Sequence, residues 1–229
     1  MKWGYRWYIR YPKISLFRRS NPFRRSDDTQ PIFVVPAIHE PGRKFTTPRE
    51  SVIVVNEFIR IYQGVFFKTE AARIYFSQNM QECHGENIIC IGVPVHNKFT
   101  KNLINNLRDR NQIPHYFDDH SLISAASRKQ YNYTSVDRKI VTYVCLVIIT
   151  RNPYGGSGKR VLLLAECRGY GAIGLAKYLG SGDLIRDLRK QSPYRSRTLA
   201  SFTVSFHNEN GQMDALYSNY AIEEFHKIQ

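Results

Sequence analysis

The chain of 229 residues carries 33 Lys and Arg against 19 Asp and Glu, which gives a formal net charge of +14. Its hydrophobic fraction of 42% and charged fraction of 23% are ordinary for a globular protein, so one large domain with a sizeable core is expected. The longest apolar run, residues 143–149, is too short to cross a bilayer. The excess of positive charge favours anionic partners, either small molecules or nucleic acid.

The cysteines lie at positions 83, 90, 145 and 167, with neither a C-x-x-C pair nor a metal-binding spacing. This pattern indicates reduced thiols. The basic N-terminal region is not followed by an apolar stretch, so no signal peptide is predicted. We therefore expect a cytoplasmic protein without a transmembrane segment.

Residues 1–30 are predicted to form a basic aromatic arm, followed by a domain of residues 31–229. Eight of the positive charges, and no acidic residue, lie within residues 1–26. Aromatic and basic side chains alternate there with the period of a strand. Such a surface stacks bases, neutralises phosphates or rests on an anionic membrane; alternatively, it packs on the domain or on a partner subunit of a homo-oligomer. The candidate nucleic-acid contacts are Lys2, Trp3, Arg6, Trp7, Arg10, Arg18, Arg19, Arg24 and Arg25.

In the domain, residues 32–35 predict a short buried strand. Thr47, Pro48 and Glu50 form the start signal of a helix, and residues 71–80 are ambiguous between helix and strand. Residues 88–93 predict a second buried strand, and a helix with apolar residues at 99, 103 and 107 follows it.

The turn between that strand and helix contains Gly92, His96 and Asn97. Ligands of open α/β sheets bind at the carboxyl ends of strands, so the three residues are candidates for lining a ligand site. The alternative is that Gly92 relieves crowding, Asn97 caps the helix and His96 is exposed.

Residues 140–149 predict a long strand, which the loop 151–159 joins to a further strand at 161–164. Because this loop is too short for a parallel crossover, the two strands are expected to be antiparallel neighbours in a mixed sheet. Lys159 does not complete a P-loop, since Arg160 and a strand follow it. Residues 200–206 alternate as a strand, and Asn210 and Gly211 predict a hairpin turn to a return strand at 213–217. Residues 220–228 suggest a short helix.

The most informative stretch is 161–178, a buried strand followed by a glycine turn and a helix. Its glycines have the G-x-G-x-x-G spacing, which lets a phosphate approach the backbone at a helix N-terminus. We expect this turn and the Gly92 turn to lie at one sheet edge and to share a ligand. The candidate ligand-binding residues are Gly92, His96, Asn97, Arg168, Gly169, Gly171 and Gly174.

Other chemically suggestive residues are less specific. Residues 82–84 and 115–120 contain metal-capable side chains, but both stretches suggest polar loops without a second ligand pair at a recognised spacing, so no metal site is predicted. Asp118 and Asp119 are adjacent and should point to opposite faces of an extended chain. Cys167 is either a thiol activated by Arg168 and a helix N-terminus or a buried structural cysteine.

The segments I-G-V-P-V-H-N (91–97), R-N-P-Y (151–154) and R-G-Y-G-A-I-G (168–174) resemble Rossmann-like domains of bacterial conflict and defence proteins, including TIR-like and LOG-like modules. The resemblance covers about residues 32–206. It implies an α/β fold: a single Rossmann-like three-layer domain with a mixed, mostly parallel sheet and an antiparallel hairpin.

The resemblance also implies a nucleotide- or dinucleotide-binding sensor or effector in antiviral defence, with NAD as one such ligand. It carries over no catalytic residue; Glu166 is the nearest candidate for the glutamate of TIR-like NAD-cleaving enzymes. Two alternatives stay open: a nucleic-acid-binding or assembly protein that uses the basic arm, and an enzyme that cleaves NAD or another nucleotide.

Overall fold

The computed structural model describes residues 31–38, 46–66, 72–78, 83, 85–119, 121–136, 139–155, 158–167, 171–181, 186–187, 190, 199–207 and 219–228. In chain order the main elements are β1 (Ile32–Val35), α1 (Arg49–Phe66), β2 (Ile74–Phe76), β3 (Ile88–Ile91), α2 (Lys98–Asp109), β4 (His115–Asp118), β5 (Ser121–Ser124), β6 (Lys129–Tyr131), β7 (Thr134–Val136), β8 (Lys139–Arg151), β9 (Arg160–Glu166), α3 (Gly171–Ser181), β10 (Ala200–His207) and β11 (Asn219–Lys227).

The main sheet has the strand order β11-β10-β8-β9-β3-β1-β2, and β7 pairs with β8 outside this path. Strands β9, β3, β1 and β2 are parallel, whereas β7, β8, β10 and β11 add antiparallel pairs. The α/β class, the mixed sheet and the antiparallel β8–β9 pair are therefore confirmed. Among the described strands, antiparallel pairs are at least as numerous as parallel ones, so the expected parallel majority is not found.

Two apolar cores lie on opposite faces of this sheet, because successive strand residues point to opposite sides. One core joins alternate residues of β1, β3, β8, β9 and β10 to helices α1 and α3. The other joins the intervening strand residues to α2 and to residues of the small antiparallel sheet β4-β5-β6. Every residue of β9 is buried, as its apolar run predicts.

The predicted helix starts are confirmed at α1, which begins at Arg49 with Glu50 in its first turn, and at α2, which begins after Asn97. Thr47 does not cap α1, however, because its hydroxyl is buried without a hydrogen-bond partner among the described residues. The ambiguous stretch 71–80 contains the edge strand β2. Of the helices described, none combines the length and the apolarity that a membrane span requires.

Two local predictions were wrong. Residues 219–227 form strand β11, not a helix, because they pair with β10 along its length while Tyr220 and Ile222 pack against the core. Residues 115–118, predicted as part of a polar loop, form strand β4, which pairs with β5, and Asp119 turns between the two strands with a left-handed φ of 51°. The antiparallel partner of β10 is therefore β11. The predicted hairpin turn at Asn210 and Gly211 and its return strand at 213–217 lie outside the described residues.

Candidate functional site at the carboxyl ends of the parallel strands

The carboxyl ends of β3 and β9 lie side by side at one edge of the sheet. Ile91 is opposite Leu164 in the parallel register, and the amide of Gly92 donates to the Leu164 carbonyl at 2.9 Å. The turn after β1 joins them, since the amide of Ala37 donates to the carbonyl of His96 at 3.3 Å. The expectation that the two glycine turns share an edge is confirmed. Arg168 and Gly169 lie outside the described residues.

Gly92 has a structural reason to be glycine. Its φ is +105°, a conformation that other residues rarely adopt. A Cβ atom there would also lie 2.5 Å from Cγ of Pro36 in the neighbouring turn. The predicted relief of crowding therefore accounts for this glycine, and its contact with a ligand stays a prediction.

Asn97 ties the end of β3 to the start of α2. Its side-chain oxygen accepts from the Thr100 amide at 3.0 Å, and its side-chain amide donates to the Ile91 carbonyl at 2.7 Å. The Thr100 hydroxyl donates to the Gly92 carbonyl at 2.9 Å. Asn97 is fully buried, whereas His96 is exposed. The capping role of Asn97 is thus confirmed, and a contact between the exposed His96 and a ligand stays a prediction.

Replacing Asn97 with Ala is expected to lower the free energy of unfolding by about 2 to 3 kcal/mol, because it removes a helix cap and leaves the buried Ile91 carbonyl without its donor. Urea denaturation measures this loss. Asn105→Ala is the matched control, since Asn105 is exposed on the same helix and its replacement should have little effect. Equal stabilities of the two variants would contradict the assigned role.

Glu166 is the chemically unusual residue of this edge. It ends β9 on the face covered by α1 and α3, and only 6% of its surface is exposed. Its Oε2 atom is buried without a hydrogen-bond partner among the described residues. Burial, and then the negative charge of Glu50 in the first turn of α1, raise the pKa of Glu166 to about 8. The sequence indicated Glu166 as a candidate, whereas the contribution of Glu50 was missed.

Gly171 lets the first turn of α3 pack closely on the sheet. A Cβ atom at this position would overlap with Sγ of Cys145 on β8 and lie 3.3 Å from Cβ of Glu166. Helix–strand packing therefore explains why this residue is glycine. Gly174 is buried in the next turn of α3. Whether a phosphate approaches the backbone of either residue stays a prediction.

Cys167 follows Glu166 and is buried against the other face of the sheet. Its thiol lies 3.7 Å from the Tyr131 carbonyl, to which it donates a weak hydrogen bond. Burial raises the pKa of Cys167 to about 12. The structure therefore supports a structural cysteine, not an activated thiol.

A second polar cluster, which the sequence did not predict, fastens the small sheet to the main one. Nδ1 of His115 lies 3.1 Å from the Ser201 hydroxyl, and its Nε2 lies 2.9 Å from Oε2 of Glu224. Burial lowers the pKa of His115, although Glu224 opposes the change. The cluster lies on the α2 face, away from Glu166, because Ser201 pairs with Ile148, which packs in the α2 core.

No family model matches the chain, and no curated protein matches its sequence. Comparison with known proteins therefore does not identify the site. The site is therefore defined by its own geometry, which comprises the Gly92 turn, the Glu166 carboxyl, Glu50 and the start of α3. The candidate contacts of the arm, residues 1–30, lie outside the described residues, so nucleic-acid binding through them stays a prediction.

Proposed function

We propose that the protein is a sensor or effector module with a Rossmann-like domain. It binds a phosphate-bearing nucleotide or dinucleotide at the carboxyl ends of β3 and β9. One observation carries the proposal: the carboxyl ends of the parallel neighbours β3 and β9 lie side by side, and the sequence places glycines between each strand and the helix that follows it. In open α/β sheets, ligands bind in the crevice outside such strand ends.

The phosphate is assigned to the N-terminus of α3. Helix N-termini attract anions because their first amides lack partners within the helix. At α2 the Asn97 side chain already accepts from the Thr100 amide, so one of the amides that an anion would use is satisfied by the protein itself. The sequence places Arg168 and Gly169, a cation and a residue without a side chain, three and two positions before Gly171, the first residue of α3.

Cleavage of the bound nucleotide is the second candidate function, and the carboxyl pair favours it. A buried carboxyl with a raised pKa beside a second carboxylate is a common arrangement of a general acid and its partner. Glu166 would then act on the glycosidic bond of the nucleotide. Chromatography measures whether the protein releases nicotinamide from NAD. Release indicates an enzyme, whereas binding without release indicates a binding module at the same site.

The direct test is mass spectrometry of small molecules that copurify with the protein. We expect a nucleotide with wild-type protein and a much smaller amount with Arg168→Ala. Arg110→Ala is the matched control: it removes the same charge from an exposed residue at the far end of α2, and should retain the ligand. Absence of any nucleotide from wild-type protein, together with no binding of added NAD, would reject the proposal.

A further inference from the structure

The starting point is a buried carboxyl oxygen that lacks a partner. Nearly all buried polar atoms of native proteins are hydrogen-bonded, to protein or to something that binds there. Oε2 of Glu166 has no partner among the described residues, although the side chain is buried and its Cβ lies beside Gly171, in the first turn of α3. Among the described residues, this oxygen is therefore a candidate contact for a bound group.

The surroundings of Glu166 fix its charge. Within the described part of the chain, the titratable groups that act on it are the Glu50 carboxylate from α1, the Cys145 thiol from β8 and the Cys167 thiol. Burial raises the pKa of both thiols, so they stay uncharged. Glu50 repels a second negative charge. Glu166 therefore keeps its proton at neutral pH, in line with its pKa of about 8.

A protonated carboxyl needs a different partner from an ionised one. It has a single O–H donor, and a donor requires an acceptor, whereas an ionised carboxylate requires donors. A phosphate that approaches the N-terminus of α3 offers only acceptor oxygens. An ionised Glu166 would repel that phosphate, while the protonated form completes its coordination.

We propose that Glu166 recognises a phosphate oxygen of the ligand as a protonated donor, so that the nucleotide and one proton bind together. This inference rests on the nucleotide-binding function proposed above and adds its regulation. Binding then depends on pH, and an alkaline environment releases the ligand.

Isothermal titration with NAD from about pH 6 to about pH 10 tests the inference, because the bridging phosphates of NAD stay ionised over that range. The affinity of wild-type protein is expected to be constant at low pH and to fall about tenfold per pH unit above about pH 8. Glu166→Gln retains a neutral donor and should bind with a flat pH profile. Glu50→Gln removes the repelling charge and should move the wild-type breakpoint to lower pH.

The wild-type profile decides the question even if a variant folds poorly, and a thermal melt at each pH confirms that each sample is folded. A wild-type affinity that is flat or rises with pH overturns the proton-coupled contact while leaving nucleotide binding intact. A rise would mean that an ionised carboxylate accepts from the ligand, for example from a ribose hydroxyl. No binding of NAD at any pH, by wild type or Glu166→Gln, rejects the nucleotide site and this inference together.

Discussion

Wild-type protein is expected to lose stability as the pH rises from about 4.5 to about 8, and Glu166→Gln is expected to remove most of that loss. The folded-state pKa of Glu166 is raised above its ordinary value, so the stability it contributes is fully present below the unfolded pKa. It is lost as the pH rises through the folded pKa, because ionisation then favours the unfolded chain. The slope for one group is at most about 1.4 kcal/mol per pH unit, so the total is on the order of a few kcal/mol.

Urea denaturation of both proteins at about pH 5, 7 and 9 measures this difference. His115 acts in the opposite direction: burial lowers its pKa, so its contribution is present above its ordinary pKa of about 6.5 and is lost as the pH falls from there through the lowered folded-state pKa. Because His115 is present in both proteins, its contribution cancels in the difference between the unfolding free energies of wild type and Glu166→Gln. Glu57→Gln is the control for removing one carboxylate, since Glu57 pairs with the exposed Arg60. If Glu166→Gln followed the wild-type curve at every pH, the carboxyl would not be held in its neutral form.

Gly171→Ala is expected to destabilise the protein by about 1 to 3 kcal/mol, and Gly171→Val by more, because the added carbon overlaps with the sulfur of Cys145. Cys145→Ala removes that sulfur. The double variant Gly171→Ala with Cys145→Ala should therefore be more stable than the sum of the two single losses predicts. A coupling of about 1 kcal/mol or more is expected for residues in contact.

The same variants separate the two explanations of this glycine. Thermal unfolding and titration with NAD are measured on each. Packing predicts a clear drop in melting temperature for Gly171→Ala and its partial recovery in the double variant. An unchanged melting temperature with lost NAD binding would instead mean that the missing side chain is needed by a phosphate.

The sequence predicts those parts of the fold that depend on neighbours along the chain. Pro48 and Asn97 act within one helical turn, so the starts of α1 and α2 could be placed. The short loop 151–159 forces β8 and β9 to be antiparallel. The shared edge of the two turns followed from the general rule that places the carboxyl ends of parallel strands together, and the β3–β9 pairing confirms it.

Contacts between distant residues could not be predicted in this way. His115 meets Ser201, which lies 86 positions away, and nothing in the local pattern at either residue indicates the other. Glu50 carries a local signal as an N-terminal helix residue, but its effect on Glu166 depends on how α1 packs. Residues 219–227 formed a strand because β10 offered them an edge, a tertiary partner that overrides a local preference for helix.

Strand β8 is long enough to border one side of the candidate site. Cys145 is opposite Glu166, the last residue of β9, so Lys139–Val144 continue past the carboxyl ends of the parallel strands. Six residues at about 3.3 Å each extend roughly 20 Å. This extension is stiffened by pairing with β10 and β7, as Thr142 lies opposite both His207 and Thr134. A nucleotide bound beside Glu166 would therefore have this paired extension of β8 on one side. It would have to extend in the other direction, across the ends of β3 and β1.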